Sequence, residues 1–412
     1  MFNRTRLIAA AAAVALAAAA APFASAQQQQ AAAAGGTGTG ADAGPRRPIM
    51  QLLDQTAFGK TLEQYGIDIH GHIEGGYTYN FQNPASGQNA FRVFDFLADR
   101  AVLDQIDLTV ERRIDWRANK WDVGGVMEWV YGSDASLIHA NGIFDWYDGP
   151  RNPENQFDPT QFYIDIAVPV LGGARVRLGK FVNLVGYESI NPTVDFIGFY
   201  SRSFVFASGY PFTHFGGLFT FDATKDLTIT AGITRGDEQG FEDNNGAVSF
   251  IGSVNWQINK RMALYVANST GPEQPDNSSD YRTTWDATFY WQPTDRCRFL
   301  ANGYFVWDGA GAADGGSGYL WAVAALGSYE MCKEATVKVR GEYYRDQDGL
   351  RLPPGTSLYE FTVGLDVVPF AGDRWLRNIM IRPDFRFDFS DSDVFNGDDH
   401  QYTFGIDAII KL

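Results

Sequence analysis

From Gly66 to its end the chain alternates apolar and polar residues with period two, the pattern of β-strands. Residues 226–235 carry Leu227, Ile229, Ala231 and Ile233 on one parity and Thr228, Thr230, Gly232 and Thr234 on the other. Residues 336–345 set Val337, Val339 and Tyr343 against Lys338, Arg340, Glu342 and Tyr344. Residues 378–389 set Ile379, Ile381, Phe385, Phe387 and Phe389 against Arg382, Asp384, Arg386 and Asp388. The last run offers Tyr402, Phe404, Ile406, Ala408, Ile410 and Leu412 against Thr403, Asp407 and Lys411. Such alternation suits both a soluble sandwich and a membrane barrel.

The connections separate the two. Short ones fall near residues 118–120, 172–173, 224–226, 259–261, 294–296, 331–334 and 371–375. Long ones cover 82–100, 133–159, 183–211, 236–246, 271–282, 309–318, 347–356 and 390–400, in strict alternation with the short. A soluble sandwich has no reason to sort its loops by length, whereas an outer-membrane barrel has short periplasmic turns and long extracellular loops. Strand runs of about ten residues suit a tilted membrane strand. The pattern predicts an all-β fold, a transmembrane antiparallel up-and-down β-barrel of about sixteen strands, with fourteen to eighteen inside the boundary error. Aromatics near strand ends (Trp121, Trp129, Tyr131, Tyr290, Trp291, Trp307, Tyr319, Trp321) predict two interfacial girdles. A barrel this wide leaves a water-filled lumen, which implies passive passage of small polar solutes and ions.

The N-terminus changes the picture by adding export. Arg4 and Arg6, an alanine-rich apolar core and Ala24-Ser25-Ala26 predict a signal peptide over residues 1–26. Residues 27–65 read as a low-complexity periplasmic leader with helix-like spacing at Met50, Leu53 and Phe58, and residues 66–412 as the barrel. Loss of Arg4 and Arg6 takes the formal charge from −16 to −18, which argues against nucleic acid as a partner. Mean hydropathy of −0.22 would suggest a soluble protein, but lumen-facing polar residues cancel lipid-facing ones in any average.

The polar parity nominates Lys338, Arg340, Glu342, Arg382, Asp384, Arg386 and Asp388 as lumen-lining, with Asp107, Glu111 and Arg113 on other strands. Outer loops are acidic (Asp237, Glu238, Glu242, Asp243, Asp391, Asp393, Asp398, Asp399) and should enrich cations at the mouth. Cys297 and Cys332 flank neighbouring strands at short turns in an oxidising compartment, and a disulfide stapling the periplasmic rim is expected. Of the histidines, only His70 and His72 are close, on one strand parity, and two imidazoles alone make a weak metal case; no metal or cofactor is expected. Two other functions compete with a porin. An outer-membrane lipid hydrolase would need a nucleophile with a His, and no Ser has a nucleophile-elbow context. A soluble β-rich secreted binding protein would leave the sorted loops unexplained.

The pieces Leu178-Gly179-Lys180-Phe181, Gly186-Tyr187-Glu188, Tyr200-Ser201-Arg202-Ser203 and Pro211-Phe212-Thr213-His214-Phe215-Gly216-Gly217 occur in that order, after an opening strand from Gly71 to Asn80. Together they resemble the OmpL-like β-barrel porins, over nearly all of the chain after about Leu62. The resemblance implies an outer-membrane porin in contact with lipid and leaves the solute open. Outer-membrane barrels commonly end in an aromatic; this chain ends in Leu412, in phase with the outward parity. In sixteen-stranded porins, as the resemblance implies, the loop after the fifth strand folds into the barrel. Here that loop holds Val185, Phe196, Ile197, Phe199, Tyr200, Phe204, Val205 and Phe206, which would form a large apolar patch if exposed to water. Glu188, Asp195 and Arg202 from the loop are expected to face Arg175 and Arg177 across a pore constriction, where opposed charges select polar solutes. The competing reading is ordinary solvated loop charges. A homo-oligomer is compatible with the family, since trimers are common among general porins.

Overall fold

The computed structural model describes residues 47–145 and 154–412. The proposed signal peptide and the leader as far as residue 46 lie outside the described residues. The described chain opens with two short helices, α1 (Pro48–Leu53) and α2 (Ala57–Tyr65). The Thr56 hydroxyl caps α2 by accepting from Gly59 N, and Gly66 ends it at φ 67°, a left-handed conformation that favours glycine. Met50 of α1 is buried, and its sulfur accepts from Ile69 N at 3.4 Å, which holds the leader against the first strand.

Sixteen strands follow: β1 (Ile67–Asn80), β2 (Ala101–Arg112), β3 (Asp122–Gly132), β4 (Gln156–Val168), β5 (Ala174–Val182), β6 (Thr213–Thr224), β7 (Leu227–Thr234), β8 (Ser249–Asn259), β9 (Met262–Pro272), β10 (Tyr281–Trp291), β11 (Cys297–Asp308), β12 (Gly318–Cys332), β13 (Ala335–Asp346), β14 (Thr356–Val367), β15 (Ile379–Ser390) and β16 (His400–Lys411). Each pairs antiparallel with its neighbours in sequence, and β16 closes onto β1 through pairs such as Tyr77↔Ile406, so no sheet edge remains. The short and long connections fall where the sequence placed them.

Alternation sets the two faces. Arg382, Asp384, Arg386 and Asp388 of β15 are at most 3% exposed, while Phe389 on the opposite parity is 42% exposed. One end of the outer face carries Tyr79, Tyr131, Tyr281, Trp307, Tyr319 and Trp321, and the other carries Trp121, Trp256, Trp291, Tyr329 and Trp375, all exposed. These are the expected girdles, where amphipathic rings meet the headgroups. Tyr290 departs from that expectation: it is 1% exposed and faces inward, edge-on to Phe196 with centroids 5.3 Å apart.

The hydrophobic core sits inside the barrel, and the segment between β5 and β6 supplies much of it. Val185, Tyr187, Phe196, Phe206 and Tyr210 pack with Tyr265, Tyr304, Leu320 and Leu326 from the inner faces of β9, β11 and β12. Sixteen strands enclose more space than their own side chains can fill, so a folded-in segment buries this apolar wall. Within it, Phe204–Ser208 forms a short helix, α3, whose N-cap Ser203 accepts from Phe206 N at 3.1 Å. The β1–β2 segment lies over it, with Phe94 edge-on to Phe206 at 5.2 Å and stacked on Phe212 at 5.9 Å.

Candidate functional site: the loop and the inner wall

The lumen side of β13, β14, β15, β16 and β1 receives residues 198–205. Gly76 on β1 and Gly405 on β16 leave space for the Tyr200 ring, which any Cβ at Gly76 would strike. Gly364 on β14 does the same for Phe199, where a Cβ would lie 3.2 Å from the ring. Asp384 accepts from both Ser201 N and Ser201 Oγ at 3.0 Å. Arg340 donates to Ser201 O at 2.9 Å and to Glu188 at 3.2 Å while holding Glu360 at 2.6 Å. Glu342 accepts from Phe204 N at 2.7 Å and Val205 N at 2.9 Å, taking up free N–H groups at the start of α3. Lys338 donates to Gly198 O and Asp366, and Arg386 to Arg202 O. The seven residues nominated as lumen-lining are all inward and buried.

The five residues expected to form one constriction separate into two groups. Arg202 binds Asp195 at 2.6 Å, and its guanidinium lies 5.1 Å from the Phe206 ring centroid. Glu188 accepts from Ser203 and from Arg340. Burial pushes the Asp195 carboxyl above the usual range, and Arg202 opposes that shift. Arg177 instead donates twice to Asp165 at 2.9 Å and lies 3.7 Å over the Tyr163 ring, with Arg175 3.9 Å from the same carboxylate. The cause is register: Asp165 stands directly opposite Arg177 in the β4–β5 ladder. The loop crosses the lumen to the arginines of β13 and β15 and does not turn back on β5.

The expected disulfide is corrected. Cys297 and Cys332 are free thiols. Cys297 pairs in register with Tyr329, which leaves Cys332 three residues further along β12, roughly 10 Å away at about 3.3 Å per residue and beyond disulfide reach.

Asp68, His70 and Glu111 bring ligand atoms within 4.8 Å of one another, but guanidinium groups already hold them: Arg47 lies 3.4 Å from Asp68 and Arg113 2.5 Å from Glu111. His72 does not join them; its Nε2 faces Gln105 Oε1 at 3.1 Å. Beneath the folded loop is a cavity of about 300 Å³ between Asn191, Thr193 and Val194 above and Arg47 and Pro48 below, with Glu111 and Glu128 on its wall.

Two contributors escaped the sequence. Arg92, in the β1–β2 segment, reaches Asp388 and Thr403 at 2.9 Å each and also binds Asp95. Asp104 is the extra residue of a β-bulge, because Glu74 pairs with Gln105 while Gly75 pairs with Leu103. The Glu74-Gly75-Gly76 stretch of β1 opposite an acid out of phase was the available signal.

A family model described as "Putative beta-barrel porin-2, OmpL-like" matches residues 66–412. No curated protein matches the chain. Solved structures with the same fold include an anion-selective porin from Comamonas acidovorans (11% identity, 84% of this chain and 99% of that one, TM-score 0.56). Another is Pseudomonas putida OprB (12% identity, 87% and 97%, TM-score 0.56). A third is the trimer form of OmpT, an outer membrane protein of Vibrio cholerae (9% identity, 84% and 99%, TM-score 0.55).

Proposed function

Since this chain belongs to the OmpL-like beta-barrel porin-2 family and is an outer-membrane porin, we propose that small polar solutes and ions cross its lumen by a route narrowed by the segment between β5 and β6. The observation that carries this reading is the loop's attachment to lumen-facing side chains of β13 and β15, through Arg340, Glu342, Asp384 and Arg386. On this reading Glu188, Asp195 and Arg202 set the narrowest part together with Arg340, Arg382 and Arg386. Arg175 and Arg177 with Asp165 form a separate charged step on β4 and β5. Closely opposed charges of both signs order water and favour solutes that can replace it with polar groups of their own.

The protein works here as a channel without catalysis, exported by its N-terminal signal and seated in outer-membrane lipid. The trimer form of Vibrio cholerae OmpT gives a precedent for assembly with further copies of the chain. The test is reconstitution of protein extracted from outer membranes into planar bilayers. Stepwise conductance from a heat-modifiable band supports the reading. Detergent-free solubility, or lipid release without conductance, removes it.

A further inference from the structure

The folded loop leaves one stretch of the inner wall open. Arg340, Arg386 and Asp388 on β13 and β15 are fully buried, whereas Thr228, Thr230 and Gly232 of β7 and Ser253 and Asn255 of β8 are partly exposed. These five residues are uncharged and rise from the periplasmic ends of the two strands. The Thr230 hydroxyl meets that of Thr220 at 3.0 Å, which places the β7 threonines on the lumen face. The exposure stops at Gly232. Its partners in the ladders, Leu218 of β6 and Ile251 of β8, are 4% and 0% exposed.

Leu218 and Ile251 belong to an apolar belt with Val126, Tyr163 and Phe181, separate from the main core, and the loop adds Leu184 to it. The belt occupies the parity that is otherwise polar. Ile251 stands between Ser249 and Ser253, and Tyr163 between Gln161 and Asp165. Towards the extracellular end the wall turns polar again, where His214 meets Gly236 O at 3.1 Å and Ser249 donates to Glu273 at 2.6 Å. Each belt residue thus interrupts polar groups that would otherwise pass water along the wall. Leu218 is seated over a gap, because Gly232 has no side chain and a Cβ there would lie 2.6 Å from Leu218 Cδ2. Leu184 is half-buried, with its carbonyl held by the Tyr265 hydroxyl at 2.8 Å. An apolar constriction stops water and ions by drying out, so it need not be filled completely to be shut.

We propose that Leu218 and Leu184 form an apolar gate on a route along β7 and β8, shut while Leu218 is seated over Gly232 and open when that side chain leaves. The inference rests on the porin reading and adds a second closure, at the foot of the same loop. It is tested by single-channel recording in planar bilayers in KCl, for wild type, Leu218→Asn, Leu218→Met and Leu184→Asn. Asparagine is close to leucine in size, so it keeps a steric block but wets an apolar one. Leu218→Asn should raise the ratio of open to closed time roughly ten- to a hundredfold, the weight of burying one leucine side chain in a two-state equilibrium. Leu218→Met, apolar and of similar volume, should behave as wild type. Leu184→Asn, outside the strands, should open the channel as well, and it decides alone if Leu218→Asn fails to assemble. Conducting channels with unchanged open times in both asparagine variants overturn the gate and leave the porin reading standing. So does Leu218→Met opening as much as Leu218→Asn, which would make the belt ordinary packing. Absence of any conductance steps in all four proteins overturns both.

Discussion

Glu342 offers a sharp way to loosen the folded loop without touching its sequence. Its two carboxylate oxygens accept from consecutive backbone N–H groups, Phe204 at 2.7 Å and Val205 at 2.9 Å, so Glu342→Ala removes both bonds at once. Hydrogen bonds to charged groups are worth about 1.5–3 kcal/mol each, and lumen water recovers part of that loss, so the net is about 2–4 kcal/mol. At about 1.4 kcal/mol per factor of ten, the loop's detached population should rise roughly 30- to 700-fold. Asp384 and Arg340 still hold Ser201, so detachment begins at α3 and need not release the whole loop. Single-channel recording should show larger or noisier conductance steps in Glu342→Ala. Glu342→Gln keeps one neutral acceptor and should fall between it and wild type. Conductance and noise equal to wild type in Glu342→Ala would refute the idea that this clamp holds the constriction.

Four further outcomes follow from the same contacts. Gly76→Val places side-chain atoms in the space of the Tyr200 ring and should lower thermal stability by about 1–3 kcal/mol, with altered conductance; an unchanged melting temperature contradicts that packing. Alanine at Glu188 or Arg202 should change conductance or ion preference, and no change in either variant removes both from the constriction. Thiol counting on unfolded, unreduced protein should find two reactive groups, Cys297 and Cys332; none would restore the disulfide. Glu238, outside the strands, accepts from Phe212 N at the end of the folded loop, and burial raises its carboxyl to about 7. A raised carboxyl favours the folded state while protonated, so this contribution is full below the ordinary glutamate range and is lost as pH rises through about 7. Melting across pH 5–8 should fall on the alkaline side in wild type and flatten in Glu238→Gln.

The barrel was legible because it depends on period and loop length, which a sequence carries directly. The parity of residues 378–389 separated the lumen charges from the lipid-facing phenylalanines, and both faces stand as read. The aromatic loop was legible as a segment needing cover, but not which wall would cover it. That depends on Gly76, Gly364 and Gly405, far apart in sequence, lining up to admit Tyr200 and Phe199. Arg175 and Arg177 misled because their neutralising partner, Asp165, is fixed by strand register, which period alone does not give. Asp104 was hidden by its bulge, and Cys297 with Cys332 by a three-residue stagger between the neighbouring strands β11 and β12.

Removing residues 189–209 and recording single channels beside wild type shows whether the loop folded between β5 and β6 sets this porin's passage. Both proteins should give discrete steps, with clearly larger conductance after the deletion. Equal conductance in a deletion variant that still forms a heat-modifiable barrel would contradict it.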